Sequence, residues 1–278
     1  MNQLAVAAVL CLAVGVFLTG AHRLARWTAQ TAPGSTAMFL AGVLVVGVAL
    51  CSPLDMAAGS SLTVHMVQHV LLIGVAPPLL VAGRPLVPLL WALPDPWRIR
   101  LSRLHRRVAH RVAGRPAAIA ATAVLQTALV WVWHAPPLYQ GALRHAALHG
   151  FEHAGYLLAG LAFWWAVAGV PRRSTYGAGV LALFVSAFPL TLLGAAMTLA
   201  HAPWYPFYAH GGAPLESQQL AGVVMWAFGG AAIVAGACAL FAAWLAGAER
   251  LTPGWSGAGV SPNTTGDELG LTAEGRGR

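Results

Sequence analysis

The chain has 278 residues, of which 58% are apolar and only 9% charged. Soluble globular domains carry nearer a quarter charged residues, so 16 basic and 8 acidic side chains are too few to clothe a soluble fold of this length. The formal net charge of +8 involves no lysine, and the 31 glycines and 18 prolines follow no short period. A soluble enzyme, a disordered chain and a fibrous protein are excluded, which leaves a polytopic helical membrane protein.

Seven apolar segments reach or approach the roughly 20 residues that a helix needs to cross a bilayer. They are Leu4–Gly20, Ala37–Leu54, Leu62–Ala82, Ala117–Trp133, His149–Val170, Gly177–Ala200 and Gln219–Ala246. No basic residue precedes the first segment, and Arg23 and Arg26 follow it. It therefore reads as a retained span with its N-terminus outside, not as a signal peptide. The fold expected is all-α: a membrane bundle of seven transmembrane helices over residues 1–247, with a cytoplasmic C-terminus. Residues 248–278, rich in Gly, Ser and Thr with several acidic side chains, read as a disordered cytoplasmic tail.

The arginines support this topology. Arg23 and Arg26, the run from Arg98 to Arg115, Arg172 and Arg173, and Arg250, Arg276 and Arg278 fall in alternate connections, all on one side. Arg84 sits at the inner end of the third span, and Arg144 alone lies outside. That asymmetry is the positive-inside pattern. The Arg98–Arg115 loop, within Pro96–Pro116, reads as a short helix lying on anionic lipid. It lacks the aromatic interleaving of a single-strand platform, so nucleic acid is not an expected partner. Cys11, Cys51 and Cys238 are far apart and read as small apolar side chains, with neither a disulfide framework nor a thiolate site expected.

The histidines sort to the other side. His22, His105 and His110 lie among the arginines. His65, His69, His134, His145, His149, His153, His201 and His210 fall at outer ends of spans or in outer loops. His65 and His69 stand four residues apart, as do His149 and His153, so each pair shares a helix face. With His134 and His201, imidazoles from four consecutive spans are expected at one depth. Polar side chains inside a bilayer face the bundle and find partners there, and two faces of paired imidazoles suit a metal ion. Glu152 and Asp55 would orient the rings as hydrogen-bond acceptors. Met66, with Met56 and Met197 as further thioethers, favours copper, particularly copper(I), over zinc. The plainer readings are a helix contact for His201 and His145, a solvated loop residue for His210, core filling for the methionines, and capping for Asp55 and Glu216. Gln68 and Gln218 read as interhelical hydrogen-bonding groups. Ala76-Pro77-Pro78 reads as a kink without chemistry.

His65-Met66-Val67-Gln68-His69, Ala76-Pro77-Pro78-Leu79-Leu80, Trp133-His134-Ala135-Pro136-Pro137-Leu138-Tyr139, His149-x-x-Glu152-His153 and Pro214-Leu215-Glu216-Ser217-Gln218-Gln219 occur in that order. In these motifs the chain resembles the seven-span cytochrome c oxidase assembly factors of the CtaG type. That family often carries an acidic residue where this chain has Ser217. The resemblance implies a multi-pass protein of the bacterial plasma membrane that serves the subunits of a heme-copper oxidase by supplying or inserting copper. A homodimer stays open.

Three functions are carried forward. The first is a non-enzymatic copper-binding assembly factor with His65, His69, His149 and His153 as ligands and His134 and Met66 as auxiliaries. The second is a seven-span zinc hydrolase with Glu152 as general base. The third is a carrier of a single heme b, because every candidate axial imidazole lies at one depth.

Overall fold

The computed structural model describes residues 2–27, 33–168, 176–211 and 213–249, and every regular element among them is helical. The first helix, α1 (Gln3–Trp27), outruns the expected segment, so Arg23 and Arg26 ride on its last turns. The Arg23 guanidinium donates to the Ala92 carbonyl at 3.0 Å. α2 (Pro33–Cys51) stops before the expected Leu54. Ser52 turns extended, its hydroxyl accepts from the Leu54 amide, and Pro53 opens the short α3 (Pro53–Ala58). A serine cap followed by proline at the first helical position is a strong restart signal.

The third span is built in pieces: α4 (Leu62–Val70), a π-helical turn (Leu71–Val75) and α5 (Ala76–Ala82). Pro77 and Pro78 bring no amide hydrogen to bond the carbonyls one turn back. The helix widens just ahead of them, and the Ala76 amide reaches the Leu71 carbonyl five residues away. The distortion is thus a widened turn two residues past His69 where the sequence suggested a proline kink. α6 (Leu86–Ala92) leads to α7 (Asp95–Val112), the arginine-rich helix, which buries no residue. Then come α8 (Pro116–Trp133), α9 (Pro136–Arg144), α10 (Ala146–Ala168) and α11 (Tyr176–Thr198). A 3₁₀ turn (Pro206–Gly211), α12 (Pro214–Val223), a second π turn (Val224–Phe228) and α13 (Gly229–Glu249) complete the described chain.

Among the described residues, six stretches are long and apolar enough to cross a membrane: α1, α2, α4 through α5, α8, α11, and α12 into α13. The expected fifth span falls on α10, which has 23 residues and so runs about 34 Å at 1.5 Å per residue. His149, Glu152 and His153 lower its apolarity. α10 buries Glu152, His153, Tyr156, Phe163 and Trp164 and packs against α8, α5 and the first π turn. A Cβ on Gly160 would lie 2.9 Å from the Ile73 carbonyl oxygen of that turn, so only glycine allows this approach.

The two ends of the bundle differ chemically. At one end the Gly114 amide donates to Ala166 at the C-terminus of α10, and the His105 ring meets Trp165. Arg23, Arg84 and α7 lie there. At the other end the Gln3 side chain donates to Asp55, and His65 and His149 stand in the first turns of α4 and α10, with His69 and His153 one turn further on. Arg172, Arg173 and the expected tail beyond Glu249 lie outside the described residues.

Candidate metal centre

Imidazoles from α4, from the end of α8 and from α10 meet at the histidine end. His65 and His69, one turn apart on α4, have ring centroids 4.5 Å apart; His149 and His153, one turn apart on α10, are at 4.2 Å. Across the helices, the His65 ring lies 5.0 Å from His149 and 5.8 Å from His153, and the His69 ring lies 5.4 Å from His153. His134 caps α8 with its ring 5.7 Å from His69. His65, His69, His134, Glu152 and His153 are buried, and His149 is partly exposed.

Among the described residues, two sets of donor atoms come within 4.8 Å of one another: His65, His149 and His153, and His65, His69 and Glu152. Glu152 is fully buried, and its Oε1 lies 3.6 Å from His69 Nε2. It enters the cluster as a candidate ligand itself rather than only orienting rings. Its Oε2, both ring nitrogens of His69 and both ring nitrogens of His153 have no hydrogen-bond partner. Buried polar groups are nearly always hydrogen-bonded, and each orphan costs about 1–3 kcal/mol. Each neutral ring keeps a proton on one nitrogen, so these atoms offer two imidazole lone pairs and a carboxylate oxygen, a donor set that fits a divalent or monovalent transition metal.

Two tautomers follow from the surrounding bonds. The Tyr208 hydroxyl donates to the Ala58 carbonyl at 3.0 Å. Burial raises the Tyr208 phenol above its ordinary pKa, so it keeps its proton. With that hydrogen committed, the oxygen accepts from His65 Nδ1 at 2.9 Å. His65 Nε2 is therefore a bare lone pair, 3.3 Å from His149 Nε2. His134 Nδ1 donates to the Val130 carbonyl at 2.7 Å, which leaves its Nε2 bare, 3.3 Å from Met66 Sδ. Fixing a ring by its remote nitrogen is how proteins prepare imidazole ligands.

The tyrosines were not foreseen. Four of the five in the chain, Tyr139, Tyr156, Tyr205 and Tyr208, are buried around the cluster. Tyr156 donates to Glu152 at 3.4 Å, and Tyr205 donates to the His134 carbonyl at 2.8 Å. The available signal was the concentration of this residue type at one membrane end, in Pro136-Pro137-Leu138-Tyr139 and Trp204-Tyr205-Pro206-Phe207-Tyr208.

Other expectations shift. Asp55 bonds no imidazole: its carboxylate accepts from Gln68 at 2.9 Å and from Gln3 at 2.9 Å. Gln68 also donates to the Ala49 carbonyl at 2.7 Å, so Asp55 braces the back of α4. His201 is exposed in the loop after α11, so three spans contribute imidazoles and not four. His145 adopts extended backbone between α9 and α10 and is exposed, because α10 begins only at Ala146. Met56 is exposed on α3, whereas Met66 and Met197 are buried in one apolar cluster. The His210 side chain lies outside the described residues. Gln218 accepts from the Trp204 amide at 2.6 Å and pins the loop that carries Tyr205 and Tyr208.

Residues 15–247 match the family model described as cytochrome c oxidase caa3 assembly factor (Caa3_CtaG). No curated protein and no solved structure matches the chain. The family match covers most of the sequence, from within α1 to the end of α13, and includes every histidine of the cluster. The chain belongs to the cytochrome c oxidase caa3 assembly factor family.

Proposed function

We propose that this protein spans the bacterial plasma membrane seven times, with α10 as the additional span, and takes up copper at the outer face for insertion into a heme-copper oxidase. The N-terminus is outside and the C-terminus cytoplasmic, because the arginine end then meets the cytoplasm. In this reading α7 lies on anionic lipid. Copper is cargo, bound by His65, His69, His149 and His153 with Glu152, and no substrate is turned over. The observation that carries the reading is the set of orphaned, buried imidazole nitrogens of His69 and His153 beside the orphaned Glu152 oxygen. Membership in an assembly-factor family supplies the recipient.

The test is metal analysis of the purified protein, with oxidase activity measured in cells. His65→Ala combined with His153→Ala is expected to lower both copper retention and oxidase activity while the protein still accumulates in the membrane. Unchanged metal content and activity at normal abundance would make the doublets structural. Glu152 beside His69 also fits a zinc site with a water-activating carboxylate; stoichiometric zinc with hydrolytic turnover would move the assignment there.

A further inference from the structure

The contact between His134 and Met66 has no hydrogen to hold it. The Val130 carbonyl can only accept, so the proton of the neutral ring sits on Nδ1. Nε2 is then a lone pair, and it faces a thioether sulfur, also a lone-pair donor, at 3.3 Å. Both side chains are buried, Met66 completely. Two buried donors aimed at each other without a proton between them are a ligand pair. With bonds of about 2.0 Å to nitrogen and about 2.3 Å to sulfur, an ion of tetrahedral geometry holds two such atoms about 3.5 Å apart, close to the observed separation.

This pair is distinct from the imidazole–carboxylate groups. His134 belongs to neither of the two sets whose donor atoms cluster within 4.8 Å. His69 lies between. Its ring is 5.4 Å from His153 on one side and 5.7 Å from His134 on the other, and neither of its nitrogens makes a hydrogen bond. A cavity of about 50 Å³ adjoins His69 and His134, and Met225 and Tyr156 also line it. There is room beside both rings for a small displacement of an ion or its ligands.

We infer that the centre has two ion positions of different hardness: one in the cluster where the sets His65, His149 and His153 and His65, His69 and Glu152 overlap at His65, and a second, selective for soft monovalent cations, between His134 Nε2 and Met66 Sδ. His69 serves either. Imidazole and carboxylate accept zinc or copper, whereas a thioether selects copper(I) or silver(I). A copper(I) ion entering past His149 can thus be passed to the second position by exchange of ligands, with its oxidation state unchanged. The inference builds on the function proposed above and adds a second position with its own selectivity.

Silver(I), soft and redox-inert, and zinc(II) separate the two positions in the full-length purified protein. The expected stoichiometry for the wild type is two silver ions or one zinc ion per chain, with a sulfur neighbour in the silver X-ray absorption spectrum. Met66→Leu nearly conserves volume; it should lose one silver ion and the sulfur signal and keep its zinc. His65→Ala with His153→Ala should lose zinc and retain one silver ion with its sulfur neighbour. A wild type that binds zinc but only one silver ion, without sulfur, overturns the second position and leaves the functional reading intact. Two silver ions retained by Met66→Leu also overturn it. A wild type that binds neither ion ends both.

Discussion

Tyr208 lies 143 positions from His65 along the chain, yet it decides which nitrogen of that ring faces the cluster. Replacing it with phenylalanine keeps the ring and removes the acceptor of the Nδ1 hydrogen. The ring is then free to change tautomer and to rotate. Losing such an outer partner typically weakens metal affinity about 10–100-fold, and that is the loss expected for Tyr208→Phe in a zinc titration against a chromophoric chelator. Tyr205→Phe is the control. Its hydroxyl holds the His134 carbonyl and no imidazole, so zinc affinity should change far less. Equal losses in the two variants would assign Tyr208 a purely structural role. The doublets His65/His69 and His149/His153 were legible in the sequence, since four-residue spacing puts both rings on one face of any helix. The tyrosine contacts were not, because they join residues of α9, α10 and the loop after α11 whose adjacency depends on how the helices pack.

At the scale of the element, the register between α4 and α10 depends on the π turn and on Gly160. The widened turn presents the Ile73 carbonyl to α10, and the missing side chain at residue 160 lets the two backbones close. Gly160→Val should overpack this contact and cost about 1–3 kcal/mol, seen as a lower melting temperature in detergent. Zinc affinity should fall with it, because the His69 and His153 rings stand on the helices being forced apart. A variant that melts lower but binds zinc with wild-type affinity would show that the cluster does not depend on this register. The amphipathic helix makes its own prediction. Trp97, Leu101, Leu104 and Val108 form one exposed apolar stripe on α7, at the spacing of a helix lying in the bilayer interface. In a background without Cys11, Cys51 and Cys238, a cysteine placed by Leu104→Cys should resist a water-soluble maleimide in vesicles, while one placed by Arg107→Cys should react readily. Equal labelling would mean that α7 stands clear of the lipid. The helix itself could be anticipated from its charge pattern, whereas the π turns could not: proline predicts a disturbed helix without saying how the freed carbonyls are accommodated.

For the whole molecule, the proposed orientation rests on the arginines and the paired imidazoles lying at opposite ends. A reporter fused after Ala246 should be active in the cytoplasm, and one inserted near Gly212 should be active outside. The reverse pattern would invert the proposed direction of copper uptake. The class of protein, the helical architecture and the arginine asymmetry follow from composition and spacing alone, because a bilayer forces apolar segments into helices and the membrane potential and the insertion machinery sort arginine by side. The paired imidazoles follow too, since helical periodicity is local. Which side chains meet was decided by tertiary packing. His134 came to face Met66, Glu152 entered the cluster, Asp55 turned instead to Gln68 and Gln3, and His201 and His145 were left out. Each of these outcomes depends on the rotation and depth of one helix against another, set by close contacts such as that at Gly160 and by the unwinding ahead of Pro77, and neither quantity is written in the spacing of residues along a single helix.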